Sequence, residues 1–84
     1  MQSIAGRGPS FPMAKAANIR AVLAKNVRRL RLAKGLTQAA LATDAGQHQG
    51  FISEVENGKT SPELDTVGKI AAALGVHPRE LFEE

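Results

Sequence analysis

Four sets of residues carry groups that could do chemistry. Asp44, His48 and Ser53 place an acid, a base and a hydroxyl in one short stretch. Nucleophilic catalysis needs these groups within hydrogen-bond reach of one another, and their spacing offers no such geometry. The "GKT" of Gly58 to Thr60 has the tail of a phosphate loop. That loop requires a glycine where Ser53 stands and a strand ahead of it, and the sequence has neither. His48 and His77 are too few and too far apart for a metal cage, and the absence of cysteine removes thiolate sites and disulfides. No enzymatic activity, cofactor or metal is expected. The fourth set is the polar insert within "TQAALATDAGQHQGFISEVENG", residues 37–58. Its amides, hydroxyls and carboxylates sit between small and aliphatic residues at set intervals, a pattern that calls for a partner outside the chain.

The elements that must position this insert read as helices. From about Ala16 to Lys34, Ile19, Val22, Leu23, Val27 and Leu30 follow helical spacing, and Gly35 stops the run. Thr37 is a good N-cap for a helix from about Gln38 to Ala45, with Leu41, Ala42 and Ala45 inward, broken by Gly46. A third helix is expected from about Gln49 to Asn57 with Phe51, Ile52 and Val55 apolar, ending at Gly58. Ser61 is an expected N-cap and Pro62 the first residue of a fourth helix reaching about Leu74, which buries Leu64, Val67, Ile70, Ala71 and Leu74. His77 and Pro78 open a short fifth helix carrying Leu81 and Phe82. Nothing alternates with period two, so no strand is expected. Counting from Gln38, Ala42 is fifth, Gly46 ninth, Ile52 fifteenth and Val55 eighteenth. A small residue where two helices cross, a glycine for the turn and two aliphatic pins would hold the second and third helices in a steep pair.

The totals agree with one small domain. The chain has 84 residues, 43% of them hydrophobic, with no Trp, no Tyr and three Phe, so the core must be aliphatic. No apolar run approaches the roughly 20 residues of a membrane span, and the start lacks the apolar stretch of a secretory signal. A soluble, cytoplasmic protein is expected. Residues 1–14, with Gly6, Gly8, Pro9 and Pro12, read as a flexible tail, and 15–84 as the domain. Met13 reads either as an alternative start or as the end of a leader. The formal charge of +3 conceals a split: residues 1–34 hold eight basic residues and no acid, residues 35–84 three basic and eight acidic. This suggests a basic face for phosphate, or equally a solvated outer side of the first helix.

The segments "VRRLRLAKGLTQAALA", the turn "DAG", "FISEVENGKTSPELDTVGKIAAALGV" and "HPRELF" together resemble the phage Cro and repressor family, the xenobiotic-response-element class of helix-turn-helix proteins. The resemblance covers roughly Lys25 to Phe82. It implies an all-α, five-helix lambda-repressor-like domain that binds double-stranded DNA as a homodimer, with the third helix in the major groove. It further implies that Gln38 meets a backbone phosphate beside the free N–H groups of its helix terminus, and that Asn57, Lys59 and Thr60 hold phosphates beyond the third helix. Gln49, Gly50, Ser53 and Glu54 would face base edges. Arg31 and Glu56 would pair internally and orient the first helix against the third.

Elementary chemistry limits what such a helix could read. Gln can bond twice to adenine, and Glu can accept from the cytosine amino group. Residues 47–56 contain no Lys or Arg, so the common arginine–guanine contact is missing from this helix. Phosphates would fall to Lys59, to backbone N–H groups and to Arg28 or Arg29. Three positions depart from the family pattern: Gln47 where an apolar residue is usual, His48 at a capping place usually held by Ser or Thr, and Gly50 inside the recognition helix. Val76, Leu81 and Phe82 are the candidate dimer contacts, and Leu32 is a further apolar residue off the core face. The expected function is transcriptional regulation, repression above activation, from a near-palindromic operator. The rival is an antitoxin-like or other interaction module of the same fold, bound to a protein partner, with DNA reading secondary or lost.

Overall fold

The computed structural model of the protein describes residues 18–84, and the tail expected over 1–14 lies outside them. The elements are α1 (Ile19–Ala33), α2 (Gln38–Ala45), α3 (Gln49–Glu56) and α4 (Leu64–Leu74), followed by a 3₁₀ turn, Pro78–Phe82. No strand occurs among the described residues, and no helix is long and apolar enough to cross a membrane.

Each boundary has a local cause. The Asn18 side chain accepts the Ala21 N–H at 3.2 Å, so α1 opens at Ile19, three residues later than its apolar spacing suggested. Thr37 Oγ1 accepts the Ala40 N–H at 3.0 Å and starts α2. Gly46 ends α2 in the left-handed conformation, φ 69°, which costs glycine nothing and a β-carbon-bearing residue a good deal. The expected cap at Ser61 is not used. Glu63 is the N-cap of α4, its carbonyl accepting the Val67 N–H at 3.0 Å, and Asp65 in the first turn complements the helix dipole.

The expected fifth α-helix is instead the 3₁₀ turn. Five residues are too few for a ladder of α-type bonds, and tight turns of this length take the i→i+3 pattern. A capping box holds it: His77 Nδ1 accepts the Arg79 N–H at 3.1 Å, and the Glu80 carboxylate accepts the His77 N–H at 3.2 Å.

The core is aliphatic. Leu23, Val27, Leu41, Ala42, Ile52, Val55, Ile70, Leu74 and Leu81 are buried together. Two apolar stripes overrun it. Ile19 is 51% exposed and Leu64 84% exposed, so the expected burial of Leu64 is wrong. Leu64 lies one turn before Val67 at the very start of α4, where the packing partners end before the periodic pattern does. Leu81 is fully buried, which removes it from the candidate dimer contacts, and Val76 packs partly buried against the core.

A buried polar residue joins the two ends of the domain. Asn26, 2% exposed, donates through Nδ2 to the carbonyls of Leu81 at 3.0 Å and Glu83 at 2.8 Å, while its Oδ1 accepts from Arg29 Nη2 at 3.1 Å. Its amide thus anchors the 3₁₀ turn on α1.

Candidate nucleic-acid interface

The α2–turn–α3 unit is held from within. Ala42 is 2% exposed where the helices cross, and Ile52 and Val55 are fully buried on the inner side of α3. The Gln47 N–H donates to the Ala42 carbonyl at 2.8 Å, closing the turn around Gly46. The polar amide at Gln47 is half-buried and bonds inside the turn, Nε2 to the Ala45 carbonyl at 3.3 Å. The His48 side chain makes no capping bond, so the N–H groups of Gln49 and Gly50 lack both an intrahelical acceptor and a side-chain cap.

With its inner side committed, α3 turns Gln49, Gly50 and Glu54 to solvent, with Ser53 half-buried. Spacings of three and four residues make these four positions neighbours on one helix surface. Asn57 closes α3, and its Nδ2 stands 3.5 Å from Ser53 Oγ. Lys59 is exposed beyond it, its N–H donating to the Glu54 carbonyl at 2.9 Å, and Thr60 is half-buried. Asp44 and His48 are exposed and share no hydrogen bond with Ser53 among the described residues.

One carboxylate ties three helices together. Glu56 Oε2 accepts from Arg31 Nε at 2.6 Å, and Oε1 accepts from Arg31 Nη2 at 3.0 Å and from Gln38 Nε2 at 3.1 Å. Arg31 also caps the Leu36 carbonyl through Nη1 at 2.8 Å. The two charged side chains are 9% and 2% exposed. The hydrogen bonds to Glu56 raise the Arg31 pKa further above its ordinary range, with burial opposing and the nearby negative charge assisting. A fork-on-carboxylate pair of this kind fixes α1, α2 and α3 in one orientation.

Gln38 is therefore not a plain solvated residue: one amide hydrogen is spent on Glu56, and the other remains for an acceptor outside. Next to it, the N–H groups of Gln38 and Ala39 have no intrahelical acceptor. Two of the five basic residues of α1, and Lys34 at its C-cap, are committed elsewhere. Arg29 bonds Asn26, Arg31 bonds Glu56, and Lys34 Nζ caps the Ala73 carbonyl of α4 at 2.8 Å. These three are internal stitching, while Arg20, Lys25 and Arg28 are exposed on α1 with no side-chain hydrogen bond among the described residues. The roles of Asn26 and Lys34 were missed by sequence reasoning. Asn26 had one signal, a polar residue three positions after Leu23 on the apolar stripe; Lys34 had none.

A buried crossing, a left-handed glycine turn and an outward polar helix together define a DNA-binding transcription regulator of the helix-turn-helix class. The chain belongs to the helix-turn-helix family HTH_3, which matches residues 27–81. It is 39% identical over 67 residues to the control protein C.BamHI of Bacillus amyloliquefaciens, across 79% of this chain and 83% of that one. Among solved structures it is similar to the restriction-modification controller protein C.AhdI from Aeromonas hydrophila. That match has 38% identity and a TM-score of 0.73, over 75% of this chain and 96% of that one. The hypothetical transcription factor NHTF from Neisseria matches at 36% identity and a TM-score of 0.76, over 88% of this chain and 87% of that one.

Proposed function

We propose that the protein acts as a homodimer on a near-palindromic operator, as a repressor in the cytoplasm, by binding alone and without catalysis. The observation that carries this is the division of α3: Ile52 and Val55 are locked inside, while Gln49, Gly50 and Glu54 stand exposed on one side. Two such helices about 34 Å apart would enter successive major grooves. Gln49 would bond adenine and Glu54 would accept from the cytosine amino group. Gly50, which has no side chain, would bring backbone close to the duplex. Gln38, the open N–H groups at the start of α2, Asn57, Lys59 and Thr60 would hold the phosphates on either side. With no arginine or lysine on α3, the half-site would be read through A·T or C contacts and through DNA shape.

The test is selection from a random-sequence DNA pool, repeated for Gln49→Ala. A two-fold symmetric site whose preference changes at one position per half in the variant supports the reading. Because relatives are named as restriction-modification controllers, the DNA upstream of the protein's own gene and of any adjacent restriction-modification genes is the first natural operator to try. No enriched site, with weak binding indifferent to Gln49→Ala, returns the protein to the interaction-module reading.

A further inference from the structure

Of the α1 cations without a side-chain partner, Arg20 lies beside the loop that follows α3. Its backbone carbonyl is 3.9 Å from the place a β-carbon on Gly58 would take. Arg20 also shares one surface groove with Ser61 and Pro62. The start of α1 therefore lies against both ends of the stretch that carries Lys59 and Thr60.

Helix geometry sets the side on which this residue stands. Arg20 and Arg31 are eleven positions apart, about three turns, so they share one side of α1. That side meets α3, since Arg31 bonds Glu56, the last residue of α3. Side chains on a helix lean toward its N-terminus, which carries the Arg20 guanidinium further from Glu56 and onto the side of the loop. Lys25 is about 140° round the helix from Arg20 and faces away from α3.

Nothing in the chain uses this charge. Arg20 is exposed, and Arg31–Glu56 is the one ion pair among the described residues. Glu63, the acid that follows the loop, is exposed and makes no ion pair with Arg20. An unpaired guanidinium beside Lys59 and the Thr60 hydroxyl makes a set dominated by donors, and phosphate oxygen is the acceptor that suits it.

We propose that Arg20 is a further phosphate contact of the DNA interface, continuing the row of Asn57, Lys59 and Thr60 onto the start of α1. This rests on the operator reading for the duplex itself. Two arginines on one side of α1 then have opposite duties. Arg31 turns inward to hold α3, and Arg20 turns outward to hold the DNA backbone along the same edge. Its contribution is independent of base sequence, because phosphate contacts set register and orientation without reading bases.

The experiment is anisotropy titration of the full chain on two labelled duplexes, one with the selected site and one of unrelated sequence, from about 50 to about 200 mM salt. The proteins are the wild type, Arg20→Ala, Arg20→Lys and Lys25→Ala, with circular dichroism to verify folding and sedimentation velocity to follow oligomeric state. Arg20→Ala should reduce the slope of log affinity against log salt by about 1 on both duplexes, so its loss of affinity is roughly threefold larger at the low-salt end. Arg20→Lys should keep most of the slope, because a lysine still neutralises one phosphate. Lys25→Ala removes the same charge from the side facing away from α3 and should keep the wild-type slope. On the selected duplex, exchanging single phosphates for uncharged methylphosphonates should weaken the wild type at one position per half-site where Arg20→Ala is indifferent. An Arg20→Ala slope equal to the wild type, an equal drop with Lys25→Ala, or a loss of affinity traced to dissociation of the protein overturns the proposal. The two readings fail separately. A protein that selects no site but loses slope through Arg20→Ala keeps the phosphate contact and removes the operator reading. A Gln49-dependent site bound with full slope by Arg20→Ala does the reverse.

Discussion

Gln38 Nε2 lies 3.1 Å from Glu56 Oε1, the same oxygen that accepts from Arg31 Nη2 at 3.0 Å. The first residue of α2 and the last of α3 are therefore joined through a carboxylate whose charge is balanced from α1. Removing one member of such a pair strands the other in a place with little water. Glu56→Ala should lower unfolding stability by about 3–5 kcal/mol, and urea denaturation measures it. The double variant Arg31→Met/Glu56→Leu should recover most of that loss, since neither charge is then left buried. A Glu56→Ala midpoint equal to the wild type would show that the pair contributes nothing to holding the helices.

Lys59 tests the phosphate side. It is exposed, just beyond the end of α3, and no side-chain partner holds it among the described residues. Lys59→Ala should weaken binding to all sequences alike and reduce the slope of log affinity against log salt by about 1. A change in which sequence is preferred, with the slope intact, would place Lys59 on a base.

Gly50 and Gly68 form a matched pair. Both lie inside helices, and a β-carbon added at either meets nothing within 4 Å. Gly50→Ala and Gly68→Ala should each stabilise the fold by roughly 0.5–1 kcal/mol in thermal or urea unfolding. Only Gly50→Ala should weaken operator binding, because only that methyl group would stand between α3 and the duplex. Equal DNA affinity in the two variants would remove the close approach of the Gly50 backbone.

Asn26→Ala leaves two inward carbonyls, those of Leu81 and Glu83, without the donor that now serves them. The cost should be about 1–3 kcal/mol, accompanied by faster amide hydrogen exchange in residues 78–82. Loss of stability with no change in that exchange would mean that Asn26 supports α1 rather than the C-terminal turn.

What was legible in the chain was what neighbouring residues impose on one another. Thr37, Gly46 and the aliphatic spacing of α2 and α3 foretold those two helices to within a residue, because caps, turns and helical faces are set by side chains at most four positions apart. The order of the elements, the kind of the first four, and the inner side of α3 were open to reading for the same reason. The resemblance added a partner for Arg31 that spacing alone does not supply. Tertiary structure decided the remainder: where each apolar stripe stops being covered, and which polar group meets which. Leu64 keeps perfect helical register with Val67 and is still 84% exposed, since periodicity names a face but not the reach of the partner packed on it. The bond from Arg31 to Glu56 spans 25 residues and that from Asn26 to Leu81 spans 55, distances over which sequence neighbours exert no constraint. Helix identity is a local free-energy difference; burial and pairing exist only once distant segments share one core.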